Sequence, residues 1–159
     1  MIEALTIKAA CNGILRTTFP NMKVYGPDTT GALERPSFYT EIIPYVLEYQ
    51  TINLVRQRIG FKISLMEEVT NEEFELEVLS KIRKAFGLKL AVTVEDPEDD
   101  TKTITRQLTI SNLEFEYTGV KNDVFQITIA IEWIDSIAVP NDHDLMEILH
   151  YREVLNRNN

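Results

Sequence analysis

From its first residues the chain sets apolar side chains three and four positions apart. Ile2, Leu5, Ala9 and Ile14 form one stripe, and Ile7, Ala10, Cys11 and Ile14 form an overlapping one. That period predicts a helix over residues 2–17. Gly13 weakens it, because glycine costs up to ~1 kcal/mol relative to alanine inside a helix. Phe19-Pro20 ends it, since a proline disfavours the helical region for the residue before it.

The period then changes. Residues 22–25 suit a short strand, and Gly26-Pro27-Asp28 is turn chemistry. An extended segment runs from Ser37 to about Leu47. Its Pro44 predicts an edge or a bend, because proline cannot donate to a sheet ladder. Between Val55 and Met66 the chain alternates: Ile59, Phe61, Ile63 and Leu65 face one way, and Arg58, Gly60, Lys62 and Ser64 the other. This is the signature of a half-buried strand.

The second helix carries its own boundary signals. Thr70 with Glu73 reads as a capping box, and Val69 with Phe74 as the accompanying hydrophobic staple. Phe74, Val78, Ile82 and Phe86 repeat every four residues, with Leu79 alongside. Acids at Glu72 and Glu73 and bases at Lys81, Arg83 and Lys84 suit the two ends of the helix dipole. Gly87 supplies the stop.

Strand periodicity returns at Leu90, Val92 and Val94, then breaks at the acidic turn Asp96-Pro97-Glu98-Asp99-Asp100. Residues 103–117 come back with Leu113, Phe115 and Tyr117 in phase. Leu108 and Ile110 are out of phase with those three, which predicts a bulge near Ser111-Asn112. After a turn at residues 119–123, Phe125, Ile127, Ile129, Ile131 and Trp133 define a long strand, expected to be central. A last helix is expected after Pro140, capped by Asn141, with Leu145, Ile148, Leu149 and Arg152 on one face. Residues 156–159 are expected to fray. The order is αβββαβββα. It implies one α+β domain over residues 1–159, with a mostly antiparallel sheet and helices packed on one face.

Composition adds few constraints and removes several functions. A chain of 159 residues is of single-domain size and can bury a core without a disulfide or metal staple. No apolar run is long enough for a membrane span, and the N-terminus has no signal-peptide pattern, so the protein is expected to stay in the compartment where it is made. The net charge is −9. Acids cluster at Glu67, Glu68, Glu72, Glu73, Glu75 and Glu77, and again at Glu95, Asp96, Glu98, Asp99 and Asp100. Tight binding of DNA or RNA needs the opposite balance.

No phosphate loop, dinucleotide fingerprint, nucleophile elbow or zinc-protease motif is present. No cofactor, metal or catalytic residue is therefore expected. Cys11 lies in an apolar-periodic segment and reads as a small core residue; nothing links it to His143 or His150. Those histidines sit seven apart on one expected helix, about 10 Å of rise, too far to share an ion. Asp142 and Asp144 suit a helix N-terminus. The turn from Glu95 to Asp100 lacks the calcium-loop spacing and reads as a solvated hairpin tip or a partner-contacting arm. Lys81, Arg83, Lys84 and Lys89 read as a solvated helix end. Phe38, Tyr39, Tyr45 and Tyr49 crowd the segment from Ser37 to Gln50. An aromatic edge strand can pair with another chain, so this segment is divided between core and subunit contact.

These features resemble one family in layout. A short N-terminal helix ends at Phe19-Pro20, then come Val24-Tyr25, Arg35-Pro36-Ser37-Phe38-Tyr39, and the arginine-led strand Arg56-Gln57-Arg58-Ile59-Gly60-Phe61-Lys62-Ile63. A helix follows, then a hairpin pair ending in residues 125–133. In this the chain resembles the phage tail terminator proteins, in particular those of Gram-positive phages and defective prophages. The resemblance implies a structural virion protein in the tail and neck, made in the host cytoplasm. It implies a hexameric ring of this chain on the head-proximal end of the tail tube. The ring would stop tube growth and present the attachment surface for a head completion or connector protein. DNA would pass through without being held. Phe38, Tyr39, Tyr45 and Tyr49, with Asp96, Glu98, Asp99 and Asp100, are then candidate subunit or tube contacts. Another neck protein, a cryptic small enzyme and a ligand-binding module are the alternative readings.

Overall fold

The computed structural model describes residues 2–96, 99–121 and 123–136, with backbone alone at Tyr45, Asp99 and Asp100. The expected helix after Pro140, and with it His143, His150, Asp142 and Asp144, lies outside the described residues.

Two helices and six strands follow in the order α1 (Ala4–Thr18), β1 (Lys23–Tyr25), β2 (Ser37–Tyr49), β3 (Leu54–Met66), α2 (Glu72–Phe86), β4 (Lys89–Asp96), β5 (Asp99–Thr118) and β6 (Val124–Ser136). The strands form one sheet in the spatial order β1-β2-β3-β6-β5-β4. All its pairings are antiparallel except β1 with β2. The fold is the α+β arrangement expected from the periodicities, and the 125–133 strand is central.

Alternation along β3 and β6 divides the sheet into two faces. Phe61, Ile63 and Leu65 of β3 and Phe125, Ile127, Ile129, Ile131 and Trp133 of β6 are all buried in the main core. On that face lie α1, through Ile7, Cys11 and Leu15, and α2, through Val78, Ile82 and Phe86. The α1 stripe is a single four-residue one. Leu5 and Ala9, expected inward, point to solvent, while Leu15 is buried. The opposite face bears Arg56, Arg58 and Lys62 of β3 and Thr128 and Glu132 of β6, and no described helix covers it.

Two of the sheet's register slips, beside the one at the β4–β5 end, change which residues face the helices. One falls between Pro44 and Val46, the bend that Pro44 predicted. The other falls between Ile110 and Asn112, where the phase change in β5 placed it. The cap of α2 corrects the expectation. Asn71, not Thr70, caps the helix, its side-chain oxygen accepting from the amides of Glu73 (3.1 Å) and Phe74 (3.3 Å). Asparagine caps as well as threonine, and its position one residue later reaches the second and third helical amides. Val69 is 79% exposed, so the staple with Phe74 does not form. Gly87 closes α2 at a φ of 59°, a conformation favouring glycine.

Candidate interaction surfaces

The aromatic segment divides between core and surface. Phe38 is fully buried and packs edge-on against Phe19 at 5.0 Å between ring centroids. It belongs to the core of the chain itself, which removes it from the surface contacts considered for this strand. Tyr39 is half-buried on the uncovered sheet face, and Tyr49 is 72% exposed at the strand end. Of Tyr45 only the backbone position is described, at the register slip.

The end of the β2–β3 hairpin is unusually apolar for an exposed surface. Val46, Leu47, Tyr49, Ile52 and Leu54 are all exposed there, and Ile134 of β6 beside them is 55% exposed. The register explains the grouping. Arg56 pairs with Glu48 on one side and Ile134 on the other, and Leu54 pairs with Ser136. The outer edge of β2 is also open. β1 pairs only with Ser37, Phe38 and Tyr39, so beyond Tyr39 that edge has no partner strand among the described residues.

The β4–β5 hairpin is the polar counterpart. Asp96 pairs with Asp99 across its end, and Glu95 is exposed. Glu98 lies outside the described residues. At the opposite end of β4, Arg83, Lys84 and Lys89 are exposed, and Lys81 pairs with Glu77 at 2.7 Å one helical turn away. This is the solvated helix end that the sequence indicated.

The uncovered sheet face is laced by charge pairs. Glu132 accepts from Arg56 at 2.6 Å and faces Arg58 at 3.2 Å. The hydrogen bond from Arg56 is the main reason its carboxyl titrates below the usual carboxylate range. Glu41 pairs with Lys62 across β2 and β3.

Two buried polar groups escaped the sequence reading. Asp135 is 2% exposed on the helix-bearing face. Its oxygens accept from the Ile2 amide (3.1 Å), Gln57 Nε2 (3.0 Å), Trp133 Nε1 (2.9 Å) and the Arg106 guanidinium. Burial pushes its pKa up, but these donors, Arg106 foremost, outweigh that and hold it below its ordinary value. The carboxylate thus joins the N-terminus, β3, β5 and β6. Its sequence signal was an acid in phase with Phe125 to Trp133.

Glu75 is the second. It is fully buried on the inner side of α2, and Tyr117 Oη donates to its Oε2 at 2.7 Å. Glu67 lies beside it. Burial, then the hydrogen bond and charge of Glu75, push the Glu67 carboxyl up to about 7. The raised Glu67 carboxyl is what burial next to a second carboxylate produces.

Cys11 is fully buried in α1, and burial raises its thiol pKa far above the ordinary value, whereas a nucleophilic cysteine needs it lowered. A groove of about 660 Å³ between α1 and β4 is lined by Thr6, Ala9, Gly13, Ile14, Ala91 and Thr93, among others, and by no acid, base or cysteine. Among the described residues no group of three His, Cys, Asp or Glu side chains is placed to hold a metal, and no helix is long and apolar enough to cross a membrane.

Comparison with curated proteins finds no match. Among 21 matching solved chains, one superposes with a TM-score of 0.49 at 12% identity, covering 89% of this chain and 100% of its own. Residues 6–143 match the family model described as phage tail terminator protein, and the chain belongs to that family, a structural component of the phage tail.

Proposed function

We infer that the protein closes the head-proximal end of the tail tube as a ring of its own copies, halting tube growth and offering the surface on which the filled head docks. The observation that carries this reading is the family match over residues 6–143. The fold supplies means suited to it. A closed ring needs a heterologous interface, in which one patch meets a different patch on the next copy. The sheet has two dissimilar flanks for that purpose: the outer edge of β2 beyond Tyr39 and, at the far side of the strand order, β4. Exposed strand edges are natural material for pairing between chains.

Tyr39, Tyr45 and Tyr49, with Asp96, Glu98, Asp99 and Asp100, are the residues assigned here to subunit or tube contacts. The net charge of −9 suits a conduit through which DNA slides, because an acidic wall repels phosphate. On this reading the protein is non-enzymatic. Its partners are itself, the tube protein and a head completion or connector protein.

Electron microscopy of particles from a host carrying the phage without this gene tests the reading. Overlong or unfinished tails beside separate, DNA-filled heads are expected. Tails of normal length lacking only their heads would instead favour a neck protein on the head side. Normal infectious particles would overturn both.

A further inference from the structure

Strand β4 closes the spatial order of the sheet and, among the described residues, pairs only with β5. Its outer edge is unusually plain. Edge strands escape pairing with other chains through prolines, bulges or inward-pointing charges. β2 has Pro44 and a register slip, but β4 has no proline and runs in unbroken register with β5 from Lys89 to Glu95. Its charges stand at its two ends, Lys89 at the start and Glu95 with Asp96 at the close, around the uncharged run from Leu90 to Val94. Helix α1 leaves the space beside this edge open, as the groove of about 660 Å³ along Ala91, Val92 and Thr93.

One bond sets the hydrogen-bonding phase of that edge. The Ile110 amide donates to the Leu88 carbonyl at 2.9 Å, and alternate residues of a strand bond to opposite sides. Even-numbered positions of β4 therefore turn their backbone groups to β5. Lys89, Ala91, Thr93 and Glu95 present theirs outward, and their side chains are exposed, whereas Leu90 and Val92 are buried. Directly opposed residues of paired strands lie on one face of the sheet. A second β4 running antiparallel meets both conditions in the register that sets Lys89 against Glu95 of the other copy and Ala91 against its Thr93. Opposite charges then face each other at both ends, and the outward amides and carbonyls bond in pairs.

We propose that the free protein pairs with a second copy of itself along β4, antiparallel about a two-fold axis at Val92, joining two six-stranded sheets into one. The contact is isologous, the same patch on both copies, and so differs from the heterologous contact of a ring. It does not rest on the ring reading. Where a ring forms, the two contacts compete for β4, and the pair holds that edge out of the ring until it opens.

Sedimentation equilibrium of the full-length chain across the micromolar range tests it, and a dimer is expected. Lys89→Glu and Glu95→Lys each set like charges opposite one another twice, so each should weaken the dimer about tenfold. The double variant Lys89→Glu/Glu95→Lys should recover the original affinity. Within one chain the two positions stand about 20 Å apart along the strand, so such recovery can come only from a contact between copies. Thr93→Pro, which deletes an outward amide, should abolish the dimer while circular dichroism shows the fold intact. A double variant as weak as the single ones, or a dimer that survives Thr93→Pro, would overturn the proposal. So would a monomer throughout, which leaves the ring reading to the microscopy of tails, or a larger closed species, which would favour the ring contact instead.

Discussion

The two long hairpins of this sheet face solvent with opposite chemistry. The β2–β3 hairpin ends in Tyr49, Ile52 and Leu54, all exposed and apolar or aromatic. The β4–β5 hairpin ends in Glu95, Asp96 and Asp99. An apolar end gains free energy from any surface that removes it from water, in proportion to area and with little dependence on salt. An acidic end selects by charge, works over about one Debye length, and weakens as salt is added. The first kind of end favours lasting burial and the second a salt-dependent contact. Asp135 braces the two, taking donors from Gln57 of β3 and Arg106 of β5.

The largest expected effect comes from removing the base of the apolar hairpin. Phe38→Ala should destabilise the fold by about 3–5 kcal/mol, the range for truncating a buried phenylalanine. Denaturant unfolding checks this, and a loss under 1 kcal/mol would mean that the Phe19–Phe38 contact does not anchor β2. Next comes the brace. Asp135→Asn should cost about 1.5–3 kcal/mol, the range for hydrogen bonds to a charged group. Because the folded pKa of Asp135 is depressed, its contribution is complete above its unfolded value and is lost as pH falls through the folded one. The acid limb of the stability curve should therefore be flatter in Asp135→Asn.

The carboxylate pair acts in the other direction. The folded pKa of Glu67 is raised from 4.5 to about 7. Its contribution is complete below the unfolded value and is lost as pH rises through about 7. Glu75→Gln removes the facing charge, so melting temperature measured across that interval should vary less with pH in the variant. An unchanged slope would show that Glu75 does not raise the Glu67 carboxyl.

The smallest effects on stability fall at the two hairpin ends. Tyr49→Ser and Glu95→Lys/Asp96→Lys should each stay within about 0.5 kcal/mol of the unsubstituted protein, as surface changes usually do. Their assembly defects should differ in kind. That of Tyr49→Ser should be insensitive to salt, and that of the charge reversal should fade as salt rises. Intact assembly and infectivity after reversal of Asp96, Glu98, Asp99 and Asp100 would remove the acidic hairpin from the contacts.

Sequence reasoning succeeded where one local pattern decided the outcome. The alternation from Phe125 to Trp133 identified a central strand, and the phase clash between Ile110 and Leu113 located the bulge in β5. It failed where neighbouring residues were chemically equivalent, as at Thr70 and Asn71, or where burial depended on which flank a helix reaches. Phe115 shows the second case: it shares a face with Leu113 and Tyr117 as expected, yet stays 54% exposed. Asp135 and Glu75 were legible only as acids on apolar stripes. Their donors come from distant segments (Arg106 is 29 residues from Asp135, and Tyr117 is 42 from Glu75), and no local period announces such partners. For the surface contacts the sequence offered residue types, and the structure separated Phe38 from Tyr39 and Tyr49 by burial.

The unbroken pairing of β3 with β6 gives the fold a mechanical axis. From Leu54 with Ser136 to Leu65 with Phe125 the register never slips, whereas the pairings on either side, β2 with β3 and β5 with β6, each slip once. A pull along β3 and β6 loads their hydrogen bonds together in shear, so none yields before the others. Bending across the sheet concentrates instead at the two slips, which act as creases beside a stiff plank. A sheet built this way yields at its flanks before its centre.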